Sequence, residues 1–176
     1  MVREKGLVLV YTGDGKGKTT AALGLALRAW GHDRRILVLQ FMKGPGNVYG
    51  ELHAAGRMTG FDIVQGGRDS FVDTQHPAAE DCQLAQQTLE KAREVLKAGE
   101  YQLVVLDEAI VAADYGLISE DALLEAIRQR HVATDVVVTG RNASPRLQEL
   151  ADLVSEVREI KHHYRKGIAA REGIEY

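Results

Sequence analysis

The sequence predicts an α/β fold in which a mostly parallel sheet carries helices on both faces. Three observations support this. The runs Leu7-Val8-Leu9-Val10, Ile36-Leu37-Val38-Leu39 and Leu103-Val104-Val105-Leu106 are continuously apolar, as strands covered on both sides are. Segments with helical spacing lie between such runs, so strand and helix alternate along the chain. The residues able to carry chemistry, at 13–20, 40–43, 107–108 and 139–141, all follow strands, and ligands gather at the carboxyl ends of parallel strands.

The first strand is expected over residues 7–11 and the first helix over Lys18–Trp30, closed by Gly31. A second strand, 36–39, runs out through Gln40 and Phe41. Residues 42–50 hold three glycines and a proline and read as a loop, followed by a short helix over 51–55. A weaker strand covers 61–64, and 65–76 is a second polar loop. Pro77 is placed at the first turn of a long helix reaching Ala98, where its missing N–H costs nothing. Cys82, Ala85, Leu89, Ala92 and Leu96 make one face of that helix, so Cys82 reads as a core residue. Residues 103–106 form the most apolar strand and end at Asp107-Glu108. Ser119 caps a helix over 120–130 with acids in its first turn. A strand over 135–139, a short helix opened by Ser144-Pro145 and an edge strand over 153–158 complete the order, and residues 161–176 show no periodicity.

Composition narrows the class. A chain of 176 residues suits one domain, 1–176, able to bury about two-thirds of its unfolded surface. With 45% hydrophobic and 27% charged residues and a net charge of −3, it reads as an ordinary globular protein rather than a nucleic-acid binder. A single cysteine excludes an internal disulfide and fits a cytoplasmic setting. No apolar run approaches membrane-spanning length, and the start Met1-Val2-Arg3-Glu4-Lys5 does not read as a signal peptide.

The chain is organised around Tyr11-Thr12-Gly13-Asp14-Gly15-Lys16-Gly17-Lys18-Thr19-Thr20. Strand, glycine loop, Gly-Lys-Thr and helix make a P-loop arrangement, and with it a P-loop NTPase-like (RecA/Rossmann-like) fold. Glycines let backbone N–H groups turn inward as an anion nest, and the helix N-terminus adds partial positive charge. Lys18 can reach outer phosphates and Thr19 can offer its hydroxyl to Mg²⁺. Thr12 stands where the strict pattern has its first glycine. Asp107 and Glu108, behind an apolar strand, have the setting of a metal-holding acid, and spacing leaves open which of them faces the ion. Arg141 reads equally as a phosphate partner and as a surface arginine. The basic cluster Lys161, His162, His163, Arg165 and Lys166 reads as a solvated loop or as a wall of an anionic site, and lacks the partners of a zinc centre. No nucleophile elbow, Ser-His-Asp order or dinucleotide fingerprint is present.

The loop together with Ala21-Ala22 resembles that of the ATP:corrinoid adenosyltransferases. Four further segments are similar in order: Gln40-Phe41-Met42-Lys43-Gly44, Val104-Val105-Leu106-Asp107-Glu108, Val138-Thr139-Gly140-Arg141, and Ala151 through Arg158 on to Lys161-His162; the ending Gly173-Ile174-Glu175-Tyr176 is similar too. Thr12 in place of glycine is itself a trait of that family. The resemblance implies that cobalt(I) of a reduced corrinoid attacks the ribose 5′ carbon of ATP and triphosphate leaves, in adenosylcobalamin synthesis or salvage. It implies ATP reversed in the loop, with residues 12–20 as its cradle. Thr19 and Glu108 would be the Mg²⁺ ligands, with Asp107 behind them and Lys18 at the phosphates. A homodimer is implied, and an electron-donating reductase is an expected partner. Two departures stand out: Asp14 replaces the usual Asn, and one aromatic, Phe71, stands where relatives carry two that shape the corrin site. The competing readings are a P-loop ATPase or kinase, which would yield ADP, and an ATP-binding module without turnover.

Overall fold

The computed structural model describes residues 5–46, 49–74 and 76–176. Four of the five residues at the start that does not read as a signal peptide (1–4), two residues of the first predicted loop (47 and 48) and residue 75 of the second lie outside the described residues. Six strands, β1 (Val8–Thr12), β2 (Ile36–Phe41), β3 (Phe61–Gly66), β4 (Leu103–Asp107), β5 (Asp135–Thr139) and β6 (Leu153–Glu156), form one sheet in the order β3-β2-β4-β5-β1-β6. All five pairings are parallel, so the sheet expected to be mostly parallel is wholly so among the described strands.

Alternation along the strands sorts the core into two layers. Ile36, Val38, Leu103, Val105 and Val137 face Ala22 and Ala26 of α1 (Lys18–Trp30). Leu37, Leu39, Val104, Leu106, Val136 and Val138 face the other helices, α3 (Ala79–Ala98), α4 (Ala109–Asp114), α5 (Glu120–Arg128) and α6 (Pro145–Leu150). Small residues on α1 let that helix lie close to the sheet. The short α2 (Gly50–Ala55) lies on the α1 side, where Ala55 packs against the same cluster. Cys82 is half-buried against the larger layer, as its place in the α3 stripe implies.

The helix ends follow local chemistry. The Ser119 hydroxyl accepts the Ala122 N–H and the Ser144 hydroxyl accepts the Leu147 N–H, each satisfying an orphan donor. Helix α3 starts later than Pro77. Ala78 is extended, and the Asp81 carboxylate reaches back to accept its N–H at 3.3 Å, which fixes the start at Ala79. Helix α5 stops at Arg128 instead of 130: the Arg130 N–H donates to the Ile127 carbonyl at 3.4 Å, a tighter turn than the helix, and its guanidinium reaches the carbonyls of Gly6, Ile127 and Thr134. Helix α4 escaped the sequence reading because Ala109-Ile110-Val111-Ala112 is apolar without helical spacing; all four are buried. Within the stretch without periodicity, His163–Lys166 forms one 3₁₀ turn.

Two glycines respond oppositely to one added methyl group. Gly13 has φ +98° and its Cβ would sit 2.5 Å from the Val157 carbonyl oxygen, whereas a Cβ on Gly24, inside α1, meets nothing within 4 Å. Gly13→Ala should therefore lose about 1–3 kcal/mol through backbone strain alone, and Gly24→Ala should gain about 0.5–1 kcal/mol. Urea unfolding of both variants checks the opposite signs.

Candidate active site

The carboxyl ends of the strands open into a cleft of about 1160 Å³. Its floor is the phosphate loop, from Asp14 to Thr20, with Glu108 and Arg141 beside it. Lys43, Tyr49 and Phe71 also line it, as do residues of the 159–176 segment.

The loop is shaped by contact with the strand beyond it. The Gly15 N–H donates to the Val157 carbonyl at 2.8 Å, and a Cβ on Gly15 would lie 2.8 Å from the Arg158 backbone. Gly17, at φ +119°, turns the chain into α1 without a side-chain cap, which leaves the helix N-terminus to face the cleft. Lys18 is nearly buried and curls over its own loop, donating to the Gly13 carbonyl at 2.7 Å and the Gly15 carbonyl at 2.8 Å. Burial pushes its ammonium below the ordinary lysine range, with Arg141 adding to the drop and Glu108 opposing it. A cation held by neutral carbonyls gains more from phosphate oxygens than it gives up.

Asp107 is wholly buried and fully engaged. Its Oδ1 accepts the Thr19 hydroxyl at 2.8 Å and the Thr139 hydroxyl at 2.7 Å, and its Oδ2 accepts the Lys43 ammonium at 2.9 Å. The Thr139 oxygen in turn accepts the Glu108 N–H at 2.9 Å, fixing the backbone at the strand end. Burial would lower the Lys43 ammonium, but attraction and hydrogen bonding from Asp107, with Glu51 assisting, raise it. Glu108 differs. It has a left-handed backbone, φ +59°, and its carboxylate lines the cleft. Burial first, and then the Asp107 charge, push its carboxyl above the usual range, while Lys43, Lys18 and Arg141 pull it back.

Among the residues singled out by sequence, Asp14, Gly15, Lys16, Gly17, Lys18, Thr19, Thr20, Glu108, Arg141 and Phe71 all line this cleft. Thr12, Gly13 and Asp107 do not. The Thr12 hydroxyl faces the opposite side of the sheet and accepts the Ala143 N–H at 3.1 Å, tying the phosphate-loop strand to the loop after β5. Asp14 is exposed at the cleft mouth, and Phe71 is fully exposed there. Of the basic cluster, His162 and Arg165 line the cleft with Tyr164, while Lys161, His163 and Lys166 do not. Lys16 is captured by the same segment: its ammonium donates to the Ile174 carbonyl at 2.7 Å and lies 4.0 Å from Glu175, whose Oε1 is also 3.4 Å from His163 Nε2. The sequence placed Lys43 among the strand-end residues and Glu175 in the family-like ending, but assigned neither a role: it did not show that Lys43 pairs with Asp107 or that Glu175 lies beside Lys16 and His163.

A phosphate loop and a strand-end acid on a parallel α/β sheet define a P-loop nucleotide-binding protein. Over residues 4–176 the chain matches the family described as ATP:corrinoid adenosyltransferase BtuR/CobO/CobP. It is 35% identical over 176 residues to the corrinoid adenosyltransferase of Escherichia coli (strain K12), covering 98% of this chain and 87% of that protein. It is 37% identical over 177 residues to the corrinoid adenosyltransferase of Sinorhizobium sp., covering 98% and 81%. Its identity to the corrinoid adenosyltransferase CobA of Salmonella typhimurium is 35%, covering 98% and 87%. The chain belongs to the ATP:corrinoid adenosyltransferase family, enzymes that transfer an adenosyl group and whose substrates are ATP and a corrinoid. Among the described residues, no helix is long and apolar enough to cross a membrane.

Lys18→Ala removes the cation fixed at the mouth of the anion nest. ATP affinity should fall about 10- to 100-fold, the value of a charge-assisted hydrogen bond, with turnover nearly abolished. Calorimetric ATP titration of the variant checks this; unchanged affinity would show that Lys18 does not serve the phosphates.

Proposed function

We propose that this protein transfers the 5′-deoxyadenosyl group of ATP to the cobalt(I) of a reduced corrinoid and releases inorganic triphosphate. The observation that carries the reading is that an anion cradle and a fully exposed aromatic ring, Phe71, open into one cleft. A triphosphate and an apolar macrocycle ask for those two surfaces side by side. Cobalt(I) supplies the electron pair that forms the bond to the ribose 5′ carbon. The carbon–oxygen bond breaks, its electron pair leaves on triphosphate, and cobalt becomes formally cobalt(III). The protein need supply no nucleophile, so its work is orientation and charge.

Lys18, the loop amides and Arg141 oppose the charge that grows on the leaving group, with residues 14–20 as cradle and ATP reversed in it. Holding cobalt in line with the carbon contributes several kcal/mol, about what an oriented intramolecular reaction gains. The donors present fit Mg²⁺, a hard cation that takes few protein ligands and keeps waters or phosphate oxygens. Thr19 offers a hydroxyl, Glu108 a carboxylate, and Asp107 stands behind, its oxygens already bonded to Thr19, Thr139 and Lys43. When bound, the ion would neutralise part of the triphosphate charge. Likeness to the family further supports one domain over 1–176, a cytoplasmic homodimer, and an external reductase that generates cobalt(I).

Purified protein with ATP, Mg²⁺ and chemically reduced corrinoid should give triphosphate and adenosylated corrinoid in equal amounts, and without corrinoid the nucleotide should stay intact. Phosphorus NMR and the corrinoid's visible spectrum read the two products. Steady ADP release that ignores the corrinoid would favour an ATPase, and binding without turnover a non-catalytic module.

Phe71→Ala should raise the corrinoid KM about 5- to 10-fold, the value of an aromatic contact of roughly 1–1.5 kcal/mol, and spare ATP affinity. Equal loss for both ligands in parallel titrations would contradict a corrin-facing role.

A further inference from the structure

Lys43 takes no part in the chemistry set out above, yet it joins three elements at the edge of the cleft. Its ammonium lies 2.9 Å from Asp107 Oδ2, in an ion pair whose acid is wholly buried and whose lysine side chain is 18% exposed. Glu51 Oε1, at the start of α2, is 3.9 Å away and is itself held by Gln40 Nε2 at 3.0 Å. The Tyr49 ring centroid lies 5.0 Å from the ammonium. Lys43 is thus clamped between the ends of β2 and β4 and the entry to α2, aimed at one oxygen of Asp107.

The other oxygen, Oδ1, holds the Thr19 hydroxyl at 2.8 Å. A threonine hydroxyl has one proton and two lone pairs. Once that proton is committed to Asp107, the lone pairs of Thr19 are left for the cleft, where a cation would find them. The direction of the hydroxyl therefore depends on the direction of the carboxylate. Thr139 fixes the carboxylate from the same side as Thr19, and Lys43 is its partner on the opposite oxygen.

We propose that Lys43 is a positioning residue for the metal–nucleotide side of the site: by occupying Asp107 Oδ2 it holds Oδ1 on Thr19 and leaves Glu108 as the carboxylate that meets the ion. The proposal rests on the reading of Thr19 and Glu108 as Mg²⁺ ligands. Without the ammonium, the buried Asp107 loses the cation it pairs with directly, and Lys18 and Arg141 are left to offset both it and Glu108. The Asp107 carboxylate is then free to turn from Thr19 toward an incoming cation.

The test is calorimetric titration of ATP with and without Mg²⁺, on wild type, Lys43→Met and Lys43→Arg, alongside thermal melting. Wild type should bind ATP more tightly with Mg²⁺. Lys43→Met should keep its Mg²⁺-free ATP affinity within about twofold and lose about tenfold of affinity in Mg²⁺, the scale of losing a group behind a metal ligand. Lys43→Arg should recover most of the gain. If Lys43→Met does not fold, Lys43→Gln, which keeps a donor for Oδ2 and drops the charge, takes its place with the same expected direction. A variant that retains the full Mg²⁺ gain overturns the proposal, as does one that loses affinity equally with and without Mg²⁺, which is what a merely structural lysine would give. A wild type with no Mg²⁺ gain overturns the magnesium reading itself, and this proposal with it.

Discussion

A carboxylate that never meets water must find all its hydrogen bonds in the protein, and Asp107 organises the site by doing so. Its three donors come from the first turn of α1, the end of β5 and the loop after β2. Each donor thereby brings its own element to a set position against β4. Breaking such a buried pair from one side costs about 3–5 kcal/mol, because the remaining charge has no partner. The sheet supplies the frame, since β4 lies between β2 and β5. The placement of Thr19, the turn at Glu108 and the start of α2 follow from satisfying one acid.

That arrangement divides the labour between two neighbouring carboxylates. Asp107 is spent on structure. Glu108 sits one residue further along, its side chain facing the cleft. The left-handed backbone at Glu108 makes the division possible, because it turns successive side chains away from the alternation of a strand. The phosphate loop is likewise held from outside. Glycine at 13 and 15 lets the backbone at 157 and 158 approach within contact distance, and Thr12 fastens the strand to the loop after β5. The cradle is shaped largely by neighbours that do not face its ligand.

Much of this was legible in the sequence. Unbroken apolar runs announced strands buried on both faces, and the glycine-lysine-threonine turn at residues 17–19 announced what lay at their ends. The side chain of Thr12 was assigned to the cradle because it lies within the motif, but strand alternation, available from the pattern, puts it on the opposite face from Tyr11. The start of α3 was misplaced because a proline rule was applied without the Asp81 carboxylate that sets the real boundary. The roles of Lys43 and Glu175 were hidden for a plainer reason: each depends on a partner that the fold, and no local spacing, brings near. A hydrogen bond from Lys16 to a residue 158 positions away leaves no periodic trace.

The sheet order has a consequence for how the molecule comes to its shape. Strand β1 leads directly into the phosphate loop, and its neighbours are β5 and β6, with Val8 opposite Val136 and Leu9 opposite Leu153. During synthesis β1 is made before both strands that flank it, which follow more than 120 residues later. Strands β2, β3 and β4 can pair among themselves in the meantime. Pairings so distant in sequence are slow to form, because loop closure must precede any reward from contact. The backbone at 157 and 158 that shapes the phosphate loop is thus made after all six strands, and nucleotide that binds only the seated loop would favour that form by mass action.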